Sequence, residues 1–183
     1  MKRFLLLVFI ASAMTFTYAQ ENMITISGGY AFANLEDVDA NATGWRINGL
    51  YEFIPQGGKM SHGLSFGYIG TSATGGSGEN TTEYDLHTWP IYYAPKYTFG
   101  KNKFNAFIKG AFGMHYSGYD RTGSITEAGT FDMGFYGGAG AGIKFKFHEK
   151  FYIVGEYEWA YLSNSLYRDG FMNTAMGGIG ITF

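Results

Sequence analysis

Residues 131–147 read Phe-Asp-Met-Gly-Phe-Tyr-Gly-Gly-Ala-Gly-Ala-Gly-Ile-Lys-Phe-Lys-Phe, and their parity decides the fold. Phe131, Met133, Phe135, Ala139, Ala141, Ile143, Phe145 and Phe147 fall on one face. Asp132, Gly134, Tyr136, Gly138, Gly140, Gly142, Lys144 and Lys146 fall on the other. A period of two belongs to an extended strand with two unlike faces, not to a helix.

The alternation recurs on both sides of this stretch. Bulky groups at Ile24, Ile26, Tyr30 and Phe32, then at Trp45, Ile47, Tyr51 and Phe53, then at Leu64, Phe66 and Tyr68, are separated by small or polar residues. Further runs follow at Trp89–Phe99, Phe104–Tyr116, Phe151–Tyr161 and Phe171–Phe183. Tyr84 and Leu86 have the opposite parity to Trp89, which predicts a β-bulge near Thr88. The connections also alternate: Pro55–Lys59, Gly100–Lys103 and His148–Lys150 are short, whereas Asn34–Ala42, Thr71–Glu83, Gly118–Gly129 and Ser163–Gly170 are longer. Eight strands of about ten residues, with turns short on one side and long on the other, predict an all-β, eight-stranded antiparallel up-and-down transmembrane β-barrel. An even strand count leaves both chain ends on the short-turn, periplasmic side.

Volume assigns the faces. The interior of an eight-stranded barrel is just wide enough for side chains to fill, and the aromatic face carries far too many bulky groups for it. That face is therefore expected to meet lipid. The Gly-, Ala-, Ser- and Thr-rich face fills the lumen. The glycines at Gly137–Gly142 have no following helix to supply an anion-binding terminus, so they read as space for neighbouring side chains. A sheet in hydrocarbon must close, because unpaired backbone groups cost several kcal/mol each.

Composition agrees. The 183 residues hold 28 glycines and no cysteine; aromatics make up 19% and charged residues 15%. No disulfide, thiolate metal site or thiol nucleophile is available. A net charge of −2 gives no sign of a nucleic-acid partner. Lys2 and Arg3, the apolar run Phe4–Met14 and Thr17-Tyr18-Ala19 form the three parts of a secretory signal peptide. Residues 1–19 are expected to be cleaved, leaving 20–183 as the barrel domain. Its loss takes Lys2 and Arg3 from the 13 basic residues, leaving 11 against 15 acidic ones.

The sequence resembles the small outer-membrane β-barrel family of OmpX, the Ail/Lom group and the OmpA membrane domain. The resemblance rests on the hairpin Tyr97-Thr98-Phe99 to Phe104–Gly110, on Gly137–Phe147, on Glu156-Tyr157-Glu158-Trp159 and on the C-terminal Gly178-Ile179-Gly180-Ile181-Thr182-Phe183. It implies that Gly178, Ile181 and Phe183 form the signal read by the barrel-assembly machinery; Met176 departs from the usual polar residue there. It also implies an integral, monomeric outer-membrane protein in contact with lipid and lipopolysaccharide, serving envelope integrity or surface interaction.

The inward charges are the candidate site: Arg46, Lys96, Lys109, Lys144 and Lys146 share the lumen with Glu52, Asp132, Glu156 and Glu158. A salt-bridged plug is expected, since buried charges must be paired; the alternative is a narrow porin-like channel. Lys144 is expected diagonal to Glu156, and His115 opposite Asp132 near the outer mouth. Leu162-Ser163-Asn164-Ser165 resembles the His-x-Ser-Asn stretch of lipid A deacylases of the PagL kind, but Tyr161 stands where the catalytic histidine belongs, so no base activates Ser163. The expected function is non-enzymatic, without metal or cofactor. Asp37-Val38-Asp39-Ala40-Asn41 starts like a calcium loop and lacks its glycine and closing glutamate. Surface specificity is assigned to the longer loops, through Glu36, Asp37, Asp39, Tyr119, Arg121, Tyr167 and Arg168.

Overall fold

The computed structural model describes residues 20–35, 40–55, 58–75, 82–100, 103–122, 127–128, 131–163, 165 and 167–183. The leader expected at 1–19 and the loop residues Glu36, Asp37 and Asp39 lie outside them. The strands are β1 (Gln20–Leu35), β2 (Asn41–Pro55), β3 (Met60–Gly75), β4 (Thr82–Phe99), β5 (Phe104–Thr122), β6 (Glu127–Ala128), β7 (Asp132–Lys146), β8 (Phe151–Leu162) and β9 (Tyr167–Thr182). β6 is a two-residue extension paired with the end of β5. The other eight form one closed antiparallel ring, in the order β4-β3-β2-β1-β9-β8-β7-β5 and back to β4. No helix occurs among the described residues.

The ring closes where the two ends of the chain meet. Met23 pairs with Thr182 and the ladder continues to Ala33 and Met172. Asn22 and Phe183 exchange backbone hydrogen bonds of 3.1 and 3.0 Å. This end, which also carries the β2–β3, β4–β5 and β7–β8 turns, is called here the terminal end; the opposite one is the far end.

The burial pattern is that of a soluble domain turned inside out. Ile26 is 65% exposed, Leu64 62% and Ile179 57%, while Arg46 and Glu158 are fully buried. Such a surface is stable only against lipid. Two belts of rings bound it. Trp45–Tyr68 (4.9 Å), Tyr68–Trp89 (5.3 Å) and Trp159–Phe171 (4.7 Å) lie toward the far end. Tyr97–Phe99 (4.9 Å) and Phe147–Phe151 (6.0 Å) lie toward the terminal end. Aromatic girdles of this kind sit at headgroup level.

Inside, large side chains are matched to glycines across the β5–β7 ladder. Phe107 faces Gly142, Lys109 faces Gly140, Ala111 faces Gly138, Gly113 faces Tyr136 and His115 faces Gly134. A Cβ at Gly142 would stand 2.5 Å from the Phe107 ring. The glycine-rich stretch is thus the complement of the bulky inward residues on β5.

Three expectations are corrected. No bulge forms at Thr88: the β4–β5 register runs unbroken in one parity, and Tyr84 and Leu86 point into the lumen, where they are buried in an apolar layer. The strands run 12 to 19 residues, not about ten, so they extend past the length a bilayer crossing needs and shorten the expected loops. A register shift instead occurs between Ala33 and Leu35 of β1 and the start of β9, where Asp169 (φ 53°) and Gly170 (φ 72°) are left-handed. It reverses the parity of β9, turning Tyr167 inward.

Candidate functional site

β-strand parity sends one residue in two into the lumen, and register decides which of them meet. Arg46 of β2 and Glu158 of β8 meet at 2.6 Å, both side chains wholly buried. Lys109 of β5 lies 2.6 Å from the second oxygen of Glu158 and also pairs with Glu156. Two cations thus neutralise two carboxylates, as removal from water demands. Neutral donors complete the layer. The Tyr136 hydroxyl donates to Glu158 at 2.5 Å and the Tyr92 hydroxyl at 3.3 Å, while Arg46 donates to Tyr92 Oη at 2.9 Å and Thr174 Oγ1 at 3.3 Å.

Tyr92 and Tyr136 stack at 4.9 Å with 20° between their planes. They come from strands on either side of β5 and face each other across Gly113, which pairs with both. A Cβ at Gly113 would come 2.5 Å from the Tyr92 Cα. The two phenols belong to the charged layer as much as the ionised groups do. Tyr136 alternates with the glycines on the inward face of its strand, and a bulky polar ring in that company is the signal for this layer that the chain carries.

A second pair lies nearer the terminal end. Lys96 is 2.8 Å from Glu52, which also accepts a 2.8 Å hydrogen bond from Ser61, and the ammonium group rests 4.6 Å from the centre of the Phe107 ring. Toward the far end the lumen is apolar. Leu35, Ile69, Leu86, Leu162, Tyr167 and Met172 are all buried there. The Tyr167 hydroxyl shares a 2.8 Å hydrogen bond with Thr71 Oγ1. The lumen is therefore layered: apolar at the far end, ionic in the middle, ionic and aromatic toward the terminal end.

The remaining candidates fall as follows. His115 does not face Asp132: register pairs His115 with Gly134 and Asp132 with Ser117. The His115 Nε2 lies 2.7 Å from the Ser163 carbonyl, which can only accept, so Nε2 carries a proton, and Nδ1 shares a 2.6 Å hydrogen bond with Ser117 Oγ. Lys144 sits diagonal to Glu156 in register, since Glu156 pairs with Gly142, but Glu156 is held by Lys109. Lys144 and Lys146 lie over the Tyr152 ring at 5.2 and 5.6 Å. The Ser163 hydroxyl accepts the Phe135 amide at 2.7 Å, and Tyr161 lies on the outer face, edge-on to Phe171.

Among the surface residues, Tyr167 is corrected from loop contact to lumen core at 1% exposure, because the β9 bulge turns it inward. Arg121 packs over the Tyr84 ring at 5.6 Å, Tyr119 packs against the apolar layer, and Arg168 belongs to β9. Gly178 pairs with Ser27 and Val154, Ile181 faces outward, and Phe183 is exposed at the terminal end.

The family described as "Outer membrane protein beta-barrel domain" matches residues 4–181. A search of curated proteins finds no match. Among solved structures, the barrel is similar to Neisserial surface protein A, NspA, with a TM-score of 0.68 at 11% identity, covering 88% of this chain and 97% of that one. It is also similar to Ail, the attachment invasion locus protein of Yersinia pestis, with 0.55 at 17% identity, covering 90% and 99%. The outer membrane enzyme PagL gives 0.50 at 14% identity, covering 86% and 98%. At these identities the likeness is one of fold.

Proposed function

We propose that this chain, which belongs to the outer membrane protein β-barrel domain family and is an integral outer-membrane protein, acts as a stoppered, non-enzymatic barrel that serves the envelope or its surface through the loops at the far end. The observation that carries this reading is the layered lumen. A contiguous apolar layer from Leu35 to Met172 is stacked on the buried Arg46–Glu158–Lys109–Glu156 layer. A solute crossing the barrel would have to displace both. Termini and short turns face the periplasm in this proposal, the far end faces outward, and the chain works as a monomer among lipid and lipopolysaccharide. Phe183, Ile181 and Gly178 offer the last strand to the barrel-assembly machinery. The names of NspA, a surface protein, and Ail, an attachment protein, accord with a surface role.

The engagement of the Ser163 hydroxyl by the Phe135 amide, with Tyr161 in place of histidine, supports the non-enzymatic reading over lipid A hydrolysis. Reconstitution in planar bilayers tests the stopper. The expected trace is that of the bare bilayer. Steady unitary currents that disappear on charge reversal at Lys109 would establish the channel instead. Expression in a Gram-negative host is expected to leave the lipid A mass spectrum unchanged; acyl loss that depends on Ser163 would establish the enzyme.

A further inference from the structure

Charge is not balanced evenly along the lumen. In the ion-paired layers Arg46, Lys109 and Lys96 are set against Glu158, Glu156 and Glu52, and each cation touches a carboxylate. At the terminal end a cavity of about 230 Å³ is lined by Lys59, Lys144 and Lys146, with Glu21 as the carboxylate among its described lining residues. Three ammonium groups against one carboxylate leave two positive charges uncompensated. Lys144 and Lys146 are partly buried, and among the described residues neither has a carboxylate within 4.0 Å. They stand two residues apart on one face of β7 and share the Tyr152 ring, which steadies both without neutralising either. Partly desolvated like charges held side by side are unfavourable until an anion joins them.

We infer that this vestibule binds a small, multiply charged phosphate-type oxyanion. Lysine holds phosphate as a point charge, and two or three ammonium groups lining one cavity favour a multivalent anion over chloride. Thr98 in the wall adds a neutral polar group. A phosphate group could come from solution or from a lipid head; Lys144 and Lys146 stand on the luminal face of β7, away from the lipid-facing wall, which favours a soluble anion. The inference does not rest on the stoppered-barrel reading, since the vestibule occupies one mouth whether or not the lumen conducts.

The test is calorimetric titration of pyrophosphate into the mature barrel in phosphate-free detergent at constant ionic strength. Saturable binding is expected, at least tenfold weaker in the Lys144→Gln/Lys146→Gln variant and unchanged in Lys150→Gln, a turn lysine. Equal affinity in the double variant, or heats that do not saturate, would overturn the site. Amide shifts in the unmodified protein provide a readout free of any folding defect: Thr98 and Tyr152 are expected to move during the titration while Ser117 stays fixed, and the reverse pattern overturns the assignment. Nanodiscs separate the sources. Equal pyrophosphate affinity in phosphate-free detergent and in phosphatidylcholine discs, which carry lipid phosphate without net charge, supports a soluble ligand, whereas a tenfold loss in the discs assigns the site to lipid phosphate and overturns a soluble source.

Discussion

At the scale of single residues, the interior is decided by where charge and volume meet. Glu158 accepts from Arg46, Lys109, Tyr136 and Tyr92 at once, so it has no inexpensive substitute. Glu158→Gln leaves two buried cations short of a counter-charge and is expected to destabilise the barrel by about 3–5 kcal/mol. The check is the urea midpoint of the protein refolded into lipid vesicles; a midpoint within error of the unmodified protein would show that the layer contributes no stability. Gly142 makes the complementary case for volume. Gly142→Val drives its side chain into the Phe107 ring and against the Gly155 carbonyl, at an expected cost of about 1–3 kcal/mol; Phe107→Ala in the same chain should restore the ring's share and leave the carbonyl's. Simple additivity of the two losses would mean that the residues do not share one space.

At the scale of elements, the β1–β9 seam converts a sheet into a barrel. The backbone groups along the middle of this seam sit at membrane depth and have no water to fall back on. Ile179 pairs with Ile26 on one side and Ile153 on the other. Ile179→Pro removes a ladder donor and inserts a ring between paired strands. The expected result is loss of the compact band that folded barrels give in unheated electrophoresis, whereas Ile179→Val should retain it. The far-end stretches of β4 and β9 depart from what alternation in the chain predicts. Tyr84 and Leu86 are apolar, as outward residues are, yet they fill the lumen, so parity alone suggested a bulge where none exists. In β9 a real register shift is carried by Asp169 and Gly170 and is announced only by a polar-glycine pair, which in an unaligned chain reads equally well as loop.

At the scale of the whole molecule, two layers of different kind fill the lumen in series. In the proposed function the apolar far-end layer would exclude ions by failing to solvate them, and the ionic middle layer would exclude them by filling the bore. Leu162→Ala/Met172→Ala weakens the first layer alone. It is expected to lower stability by about 2–5 kcal/mol per site, read as a fall in the urea midpoint, while bilayer conductance stays at background. Currents in this variant would show that the charged layer is permeable, and the proposed function would then have to be that of a gated pore.

Strand number, the lipid-facing side and the need for closure were already present in the chain. Hydrophobic period and backbone hydrogen bonding in oil are properties each segment carries on its own. Arg46, Glu52, Lys96, Lys109 and Glu158 are buried on the face that the same parity assigns, whereas Asp132, expected among them, is exposed at the end of β7. The partners did not follow from parity: Lys109 rather than Lys144 holds Glu156, His115 bonds Ser117 and Ser163 rather than Asp132, and Tyr92 reaches Tyr136 over Gly113. Those contacts depend on register and strand tilt around a closed ring. A side chain's partner is then set by the stagger between strands distant in sequence, which only the folded barrel defines.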